Sequence, residues 1–235
     1  MNEGRFARQF GLFNPDDEAN QPPILIVGAG TTGSWTALAL AKMGLQHIAV
    51  VDFDKVEMHN IPNQFFSLDH YDTFKVEALL GSIYQYTDTH IRAIVGKFAH
   101  ELLDGTEQYI LISAVDNMQA RVEMYEAIKQ YPWKYKLFID SRSGGNAAKI
   151  YTMQPSTLQF EKFATTLHSD DLSTIQNAEV RALSDVPCTA RSVVDVSLLV
   201  AGTIANAVRR YLVNNNIMYE QIIDATNGFT LTSQE

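Results

Sequence analysis

A chain of 235 residues, 46% of them hydrophobic, can bury one sizeable core, and an α/β fold of this length is expected to use residues 1–235 as a single domain. The formal charge of −9 at pH 7, with no basic run, works against broad binding to nucleic acid or an anionic membrane, which needs clustered Lys and Arg. A single cysteine, Cys188, excludes an internal disulfide and a zinc site built from four cysteines, leaving a buried core thiol or a reactive one. Met1 to Phe13 lacks the apolar core and small residues of a secretory signal, and no apolar run approaches the ~18 residues of a membrane span, so a cytoplasmic protein is expected.

Residues 1–22 read as a polar N-terminal arm, with turn signals at Asn14-Pro15-Asp16-Asp17 and Gln21-Pro22-Pro23. Within it, Phe6, Phe10 and Phe13 recur at helical spacing and predict a short helix over Gly4 to Phe13. Ile24 to Val27 is four apolar residues in a row, the pattern of a strand buried on both faces. Gly28, Gly30 and Gly33 then turn the chain into a helix beginning near Thr31 and stopped by Gly44. Ile48 to Asp52 is the second strand. A loop through Asn60-Ile61-Pro62-Asn63-Gln64 follows, and then a helix from Thr73 to Tyr86, with Asp72 as its predicted N-cap and Phe74, Val76, Leu79, Leu80 and Ile83 inward. Ile91 to Val95 and Tyr109 to Val115 are the next strands. The second ends at Asp116-Asn117, from which Met118 to Lys129 leaves as a helix, and Leu137 to Asp140 is a fifth strand.

Strict alternation of strands and helices implies parallel strands joined by right-handed crossovers, with ligands at the carboxyl ends. Gly28, Asp52 and Asp116 all fall at such ends. Ser141-Arg142-Ser143-Gly144-Gly145 breaks the rhythm, and Ala147 to Met153 opens an antiparallel pair. Residues 161–187 are polar and aperiodic, the pattern of a long mobile loop leading to Cys188. A helix over Val193 to Val213 follows, and Ile222 to Asp224 with Phe229 to Thr232 predict a closing hairpin about Asn227-Gly228. The expected fold is a doubly wound, mostly parallel Rossmann-like sheet with an antiparallel C-terminal extension.

The glycines have the spacing of a phosphate cradle. Gly28 permits the tight turn, Gly30 lets a phosphate approach the backbone, and Gly33 lets helix and strand pack closely while N–H groups at the helix start face the anion. Asp52, 19 residues past Gly33, is placed to accept ribose hydroxyls. These features point to a nucleotide and leave NAD and ATP in competition. An NAD enzyme needs this half-site and a catalytic group elsewhere, whereas an adenylating enzyme also needs cations and a metal-binding carboxylate around a triphosphate. Each remaining residue has an ordinary reading. Lys75 can be a solvated helix cation, Asp116 a helix cap, Arg5 and Arg8 surface charge, Cys188 a core thiol, and Arg142 with Gly144-Gly145 either a turn or a binder of a partner's tail. His47, His59, His70, His90, His100 and His168 show no metal-ligand spacing on one helix face.

Several segments in order resemble the ThiF/MoeB/HesA-type activating enzymes, which adenylate the C-terminal carboxylate of a ubiquitin-like protein or short peptide. Arg5-Phe6-Ala7-Arg8-Gln9 is similar to that family's R-Y-x-R-Q. The resemblance continues through the glycine loop, Asp52-Phe53-Asp54-Lys55-Val56-Glu57, Asn60 and Gln64 in an N-x-x-R-Q position, Lys75, Asp116-Asn117 with Arg121, and Cys188 with Arg191 before the apolar helix. It implies ATP and Mg²⁺ as cofactors and a small ubiquitin-like protein or peptide ending in glycine as partner. Asp52 would bind the ribose, and Asn60, Gln64 and Lys75 would surround the phosphates, with Lys75 stabilising charge at the α-phosphate. Asp116 would hold the metal. Arg8 would reach the triphosphate, in some relatives from the partner subunit, which implies a homodimer. Cys188 would take the activated acyl group as a thioester or through a persulfide-derived link.

Two departures stand out. Asn63 occupies the position where the family has arginine, which removes a charge-assisted contact of about 2–4 kcal/mol to the leaving pyrophosphate unless Arg8 or Arg142 compensates. Paired C-x-x-C motifs are absent, so no structural zinc is expected. A catalytically silent nucleotide- or protein-binding domain of the same fold, and an NAD-dependent oxidoreductase, are the competing readings.

Overall fold

The computed structural model describes residues 4–103, 105–168 and 193–233. Its strands are β1 (Ile24–Val27), β2 (Ile48–Asp52), β3 (Arg92–Val95), β4 (Tyr109–Ser113), β5 (Tyr135–Gly144), β6 (Ala147–Met153), β7 (Glu220–Asp224) and β8 (Phe229–Ser233). They form one eight-stranded sheet in the order β3-β2-β1-β4-β5-β6-β7-β8. β1 to β5 run parallel, and β6, β7 and β8 are added antiparallel. The expected doubly wound sheet with its antiparallel extension is therefore present, and the strand order reverses direction at β1, between β2 and β4.

Buried apolar runs explain the layers. Ile24 and Ile26 of β1, Ile48 and Val50 of β2, and Ile110 and Ile112 of β4 point to one face, which α1 (Thr31–Lys42), α2 (Lys75–Thr87) and α5 (Val194–Asn214) cover. Leu25, Val51, Leu111 and Phe138 point to the other, under α3 (Met118–Gln130) and α4 (Leu158–Ala164). Each fully buried aliphatic side chain contributes about 1.5–3 kcal/mol, so strands covered on both sides are favoured over any register that would turn them to water. By length and composition α5 could cross a membrane, contrary to the expectation that no segment would. Here its face of Val196, Val200, Ile204, Ala207 and Val208 is buried against α1 and the sheet.

Five local expectations are corrected. Residues 4–12 form consecutive turns instead of the helix expected over Gly4 to Phe13, closed by Gln9 N–H to the Phe6 carbonyl (2.9 Å) and Leu12 N–H to the Gln9 carbonyl (2.8 Å). Phe6 and Phe13 are buried and Phe10 is 43% exposed, so the arm is held by two rings and by Arg5, which donates to the Thr87 carbonyl. Asp72 does not cap α2. It has φ +62°, pairs with Lys55 at 2.9 Å, and lies three residues before a helix whose N-cap, Phe74, is extended. On that helix Leu80 is 39% exposed rather than inward.

β5 does not stop at Asp140. It runs on through residues 141–144 because β6 pairs with it from Phe138↔Met153 to Gly144↔Ala147. The start of the expected loop is helical: Thr157 Oγ1 accepts from Phe160 N–H (3.3 Å) at the start of α4, and Phe160 and Phe163 are buried. The remainder of that loop, with Cys188 and Arg191, lies outside the described residues.

Close approach of α1 to β1 sets a sharp steric condition. A Cβ on Gly33 would lie 1.8 Å from the Gly28 carbonyl oxygen, whereas a Cβ on Gly202 in α5 would meet nothing within 4 Å. Gly33→Ala should therefore destabilise by about 1–3 kcal/mol or more, while Gly202→Ala should stabilise by about 0.5–1 kcal/mol through helix propensity. Thermal and urea unfolding of the two variants against the parent checks both signs.

Candidate functional site

A cleft of about 880 Å³ opens across the carboxyl ends of the parallel strands. Its first wall is the glycine loop. Gly28 has φ +96° and a Cβ there would lie 2.5 Å from the Ala114 carbonyl oxygen, so only glycine makes this turn. A Cβ on Gly30 would meet nothing within 4 Å, and this residue lines the cleft, which leaves room for a ligand to approach the backbone. Gly30 is also the N-cap of α1 and brings no side-chain cap, so the first-turn N–H groups can serve an anion. Asp52 secures the loop: its Oδ2 accepts from Ala29 N–H at 2.6 Å and its Oδ1 from Asp54 N–H at 2.7 Å. Each carboxylate oxygen keeps acceptor capacity for a hydroxyl.

The second wall follows β2. Asn60 is buried, with Oδ1 accepting from Glu57 N–H (2.9 Å) and its carbonyl accepting from Gln64 N–H (2.9 Å). Gln64 is also buried, and its Oε1 has no hydrogen-bond partner among the described residues. Lys75 opens α2, is 7% exposed, and places Nζ 2.9 Å from Asp54 Oδ2. Asn63 lies in this wall, its carbonyl accepting from the Trp35 indole N–H at 3.1 Å, and it brings no charge.

Opposite them stands the start of α3. Asn117 caps that helix, Oδ1 accepting from Ala120 N–H at 2.9 Å, so the neighbouring Asp116 is not the cap. Asp116 is exposed within the cleft. Among the described residues no three His, Cys, Asp or Glu side chains converge on a point.

The floor is a buried ionic triad. Asp140, fully buried, receives Arg121 Nε at 3.2 Å, Arg142 Nε at 2.9 Å and the Ser113 hydroxyl at 2.7 Å. Arg121 also donates to the Val115 and Ser141 carbonyls, while Arg142 donates to the Thr166 carbonyl (3.1 Å) and hydroxyl (2.7 Å) and lies over the rings of Tyr151 and Phe163. Removing one member of such a set leaves a buried charge uncompensated, at a cost of about 3–5 kcal/mol.

Gly28, Gly30, Asp52, Asn60, Gln64, Lys75 and Asp116 thus line one cavity. Gly33 lies one turn behind it as a packing residue, and Arg8 is exposed on the arm and does not line the cleft of its own chain. Sequence reasoning assigned nothing to Lys97, which follows β3 and also lines the cavity, with Nζ 5.7 Å from the centre of the Phe53 ring. The rule that selected the ends of β1, β2 and β4 applies equally to β3 and reaches Lys97. Among the described lysines and arginines of the cleft, only Lys97 has no carboxylate partner.

Three comparisons bear on this arrangement. The chain superposes on E. coli MccB, solved with ATP, with a TM-score of 0.72 at 15% identity, covering 99% of this chain and 72% of that one. PaaA gives 0.70 at 19% identity, covering 98% and 72%. At these identities the likeness is one of fold. In sequence the chain is 23% identical over 240 residues to ubiquitin-like modifier-activating enzyme 5 of Culex quinquefasciatus, covering 92% of this chain and 58% of the relative. It spans little more than half the length of the curated relatives it matches. The ThiF family model matches residues 8–233, and with nearly its whole length accounted for, the chain belongs to the ThiF family.

Proposed function

We propose that the cleft binds ATP with Mg²⁺ and transfers AMP to the C-terminal carboxylate of a small ubiquitin-like protein or a peptide ending in glycine. One observation carries this reading: the glycine cradle, Asp52, Lys75 and Asp116 face a single cavity at the point where the sheet reverses direction. The fit to the nucleotide is specific. Gly30 leaves backbone room for a phosphate, the buried Gln64 amide oxygen has no donor among the described residues, and Asp116 is exposed and is not the cap of α3. A lone carboxylate is a poor metal site by itself but suits Mg²⁺ that is completed by phosphates and water. When bound, that ion would neutralise charge developing on the phosphates. NAD would use the glycine loop and Asp52 but would leave Lys75 and Asp116 without work. Among relatives, MccB solved with ATP and an enzyme named for activating a ubiquitin-like modifier support the choice.

The chemistry asks for positive charge and alignment more than for a base. An ionised carboxylate oxygen attacks the α-phosphorus, forming a P–O bond while the bond to the bridging oxygen breaks and pyrophosphate leaves with the electron pair. Two anions must approach in line, so Lys75 and the loop N–H groups lower the barrier by holding charge at the α-phosphate. Cys188 is proposed as the next acceptor: its thiolate attacks the acyl-adenylate carbonyl, a C–S bond forms, the C–O bond to phosphate breaks, and AMP departs.

Among the described residues the cleft is lined by Lys75, Lys97, Arg121 and Arg142 and by Asp52, Asp54, Glu57, Asp116 and Glu123, which together bring no surplus of positive charge. A triphosphate therefore needs its own cation and a further one from outside this wall. We assign that second part to Arg8 of a second copy, hence a homodimer. Asn63 favours a second reading, a domain that binds nucleotide but turns over slowly or not at all.

ATP–pyrophosphate exchange driven by a candidate carboxylate partner separates these readings. With the partner present, exchange should be measurable, and Asp116→Ala should lower it by about 10²–10³-fold. Asn63→Arg restores a cation beside the phosphates and should raise the exchange rate by about 10-fold or more. Cys188→Ala should leave exchange intact and remove only the covalent adduct seen by mass spectrometry. Exchange that is absent for every carboxylate tried, with ATP still bound, would favour the silent domain.

A further inference from the structure

We propose that Asp54 is a positioning residue that fixes the ammonium of Lys75 in the cleft, an inference that rests on the adenylation reading for its consequence though not for its geometry. Asp54 holds Lys75 at both ends. Its carbonyl accepts from the Lys75 backbone N–H at 2.9 Å, and its Oδ2 accepts from Lys75 Nζ at 2.9 Å. Asp54 is fixed in turn by its own N–H, which donates to Asp52 Oδ1 at 2.7 Å, while Asp52 Oδ2 takes the Ala29 N–H of the glycine loop at 2.6 Å. A continuous set of hydrogen bonds therefore runs from the phosphate cradle through Asp52 and Asp54 to Lys75. A short antiparallel contact frames it: Lys55 bridges Phe74, and Val56 N–H donates to the Thr73 carbonyl at 2.9 Å.

Three features make the carboxylate necessary. The Lys75 side chain is only 9% exposed, so water does little to solvate its charge. Lys75 is the first residue of α2, where the helix dipole is positive and opposes a cation. Its four-carbon stem has many rotamers, and without an anchor the ammonium would sample several of them. Asp54 answers all three while using one of the three Nζ hydrogens, leaving two for phosphate oxygens. The Asp54 side chain is itself half exposed, so it stays solvated while serving a buried partner.

The test uses the full chain and the variants Asp54→Asn, which keeps the shape and removes the charge, and Asp54→Glu, which keeps the charge. The first readout is independent of turnover: acylation of Lys75 by an N-hydroxysuccinimide ester, followed by mass spectrometry with exposed lysines as internal reference. Labelling of Lys75 should rise at least fivefold in Asp54→Asn and stay within twofold of the parent in Asp54→Glu. The second readout is exchange kinetics. kcat should fall at least tenfold in Asp54→Asn with KM for ATP changed less than threefold, and Asp54→Glu should recover most of it. Should Asp54→Asn fail to fold by circular dichroism, Asp54→Ser makes the same comparison. Unchanged labelling in the charge-removing variant overturns the proposal, as does a raised Mg²⁺ requirement with labelling unchanged, which would make Asp54 a metal ligand instead. A parent chain that shows no exchange sinks the adenylation reading alone, because labelling still decides the role of Asp54.

Discussion

The carboxylate of Asp52 is the constraint from which the cleft is built. One oxygen takes an N–H from the glycine loop and the other an N–H from the turn that follows β2, so two loops with no covalent connection nearby share one anchor. Hydrogen bonds from N–H to an ionised acceptor are roughly twice as strong as neutral ones, and these two are short. The phosphate cradle and the start of α2 cannot shift independently while this residue bridges them. Asp52 can hold the loops and still keep lone pairs free, so on the proposed reading its structural role would not compete with a hydroxyl ligand.

On the other side of the cleft the same problem is solved at greater cost. Asp140 is buried between two arginines, and taking three charges from water is not an efficient route to stability. What the triad provides is specification of geometry: it ties β5 to the first turns of α3 and, through Arg142 and Thr166, to the turn that follows α4. An apolar replacement could fill the same volume but could not fix the direction in which Ser141 and the hairpin beyond it face the cleft.

The parallel half of the fold is readable in the sequence because its signals are local. Ile24 to Val27 and Ile48 to Val51 are unbroken apolar runs whose lengths match buried strands, and the glycine loop lies where the periodicity changes. What escapes is what depends on a partner. Residues 141–144 read as a break in the strand–helix rhythm because two serines, an arginine and a glycine carry no apolar pattern, and only pairing with β6 makes them strand. The phenylalanines of the arm have helical spacing, yet a segment this short cannot nucleate a helix alone and follows the contacts of Phe6 and Phe13 instead. Asp72 is a good capping residue by type, but the helix starts three residues later, where the Asp54 carbonyl takes the Lys75 N–H. The site shows the same division: rim residues follow from strand ends, whereas the bond between Arg121 and Asp140 joins segments 19 positions apart and has no linear signature.

Charge balance limits what the described residues of this cleft offer an anion. Lys75 is held by Asp54, and Arg121 and Arg142 share Asp140, so three of the four cations among the cleft's described residues are already matched. A matched cation still attracts phosphate, but its field is reduced by the neighbouring carboxylate, and asparagine at position 63 adds nothing to offset that loss. Under the adenylation reading, positive charge beyond that of the described residues would therefore have to join them at the phosphates. On that reading the site is poised by geometry and limited by electrostatics: the described groups stand in place, and turnover would depend on whether a metal ion and a further arginine complete the field at the α-phosphate.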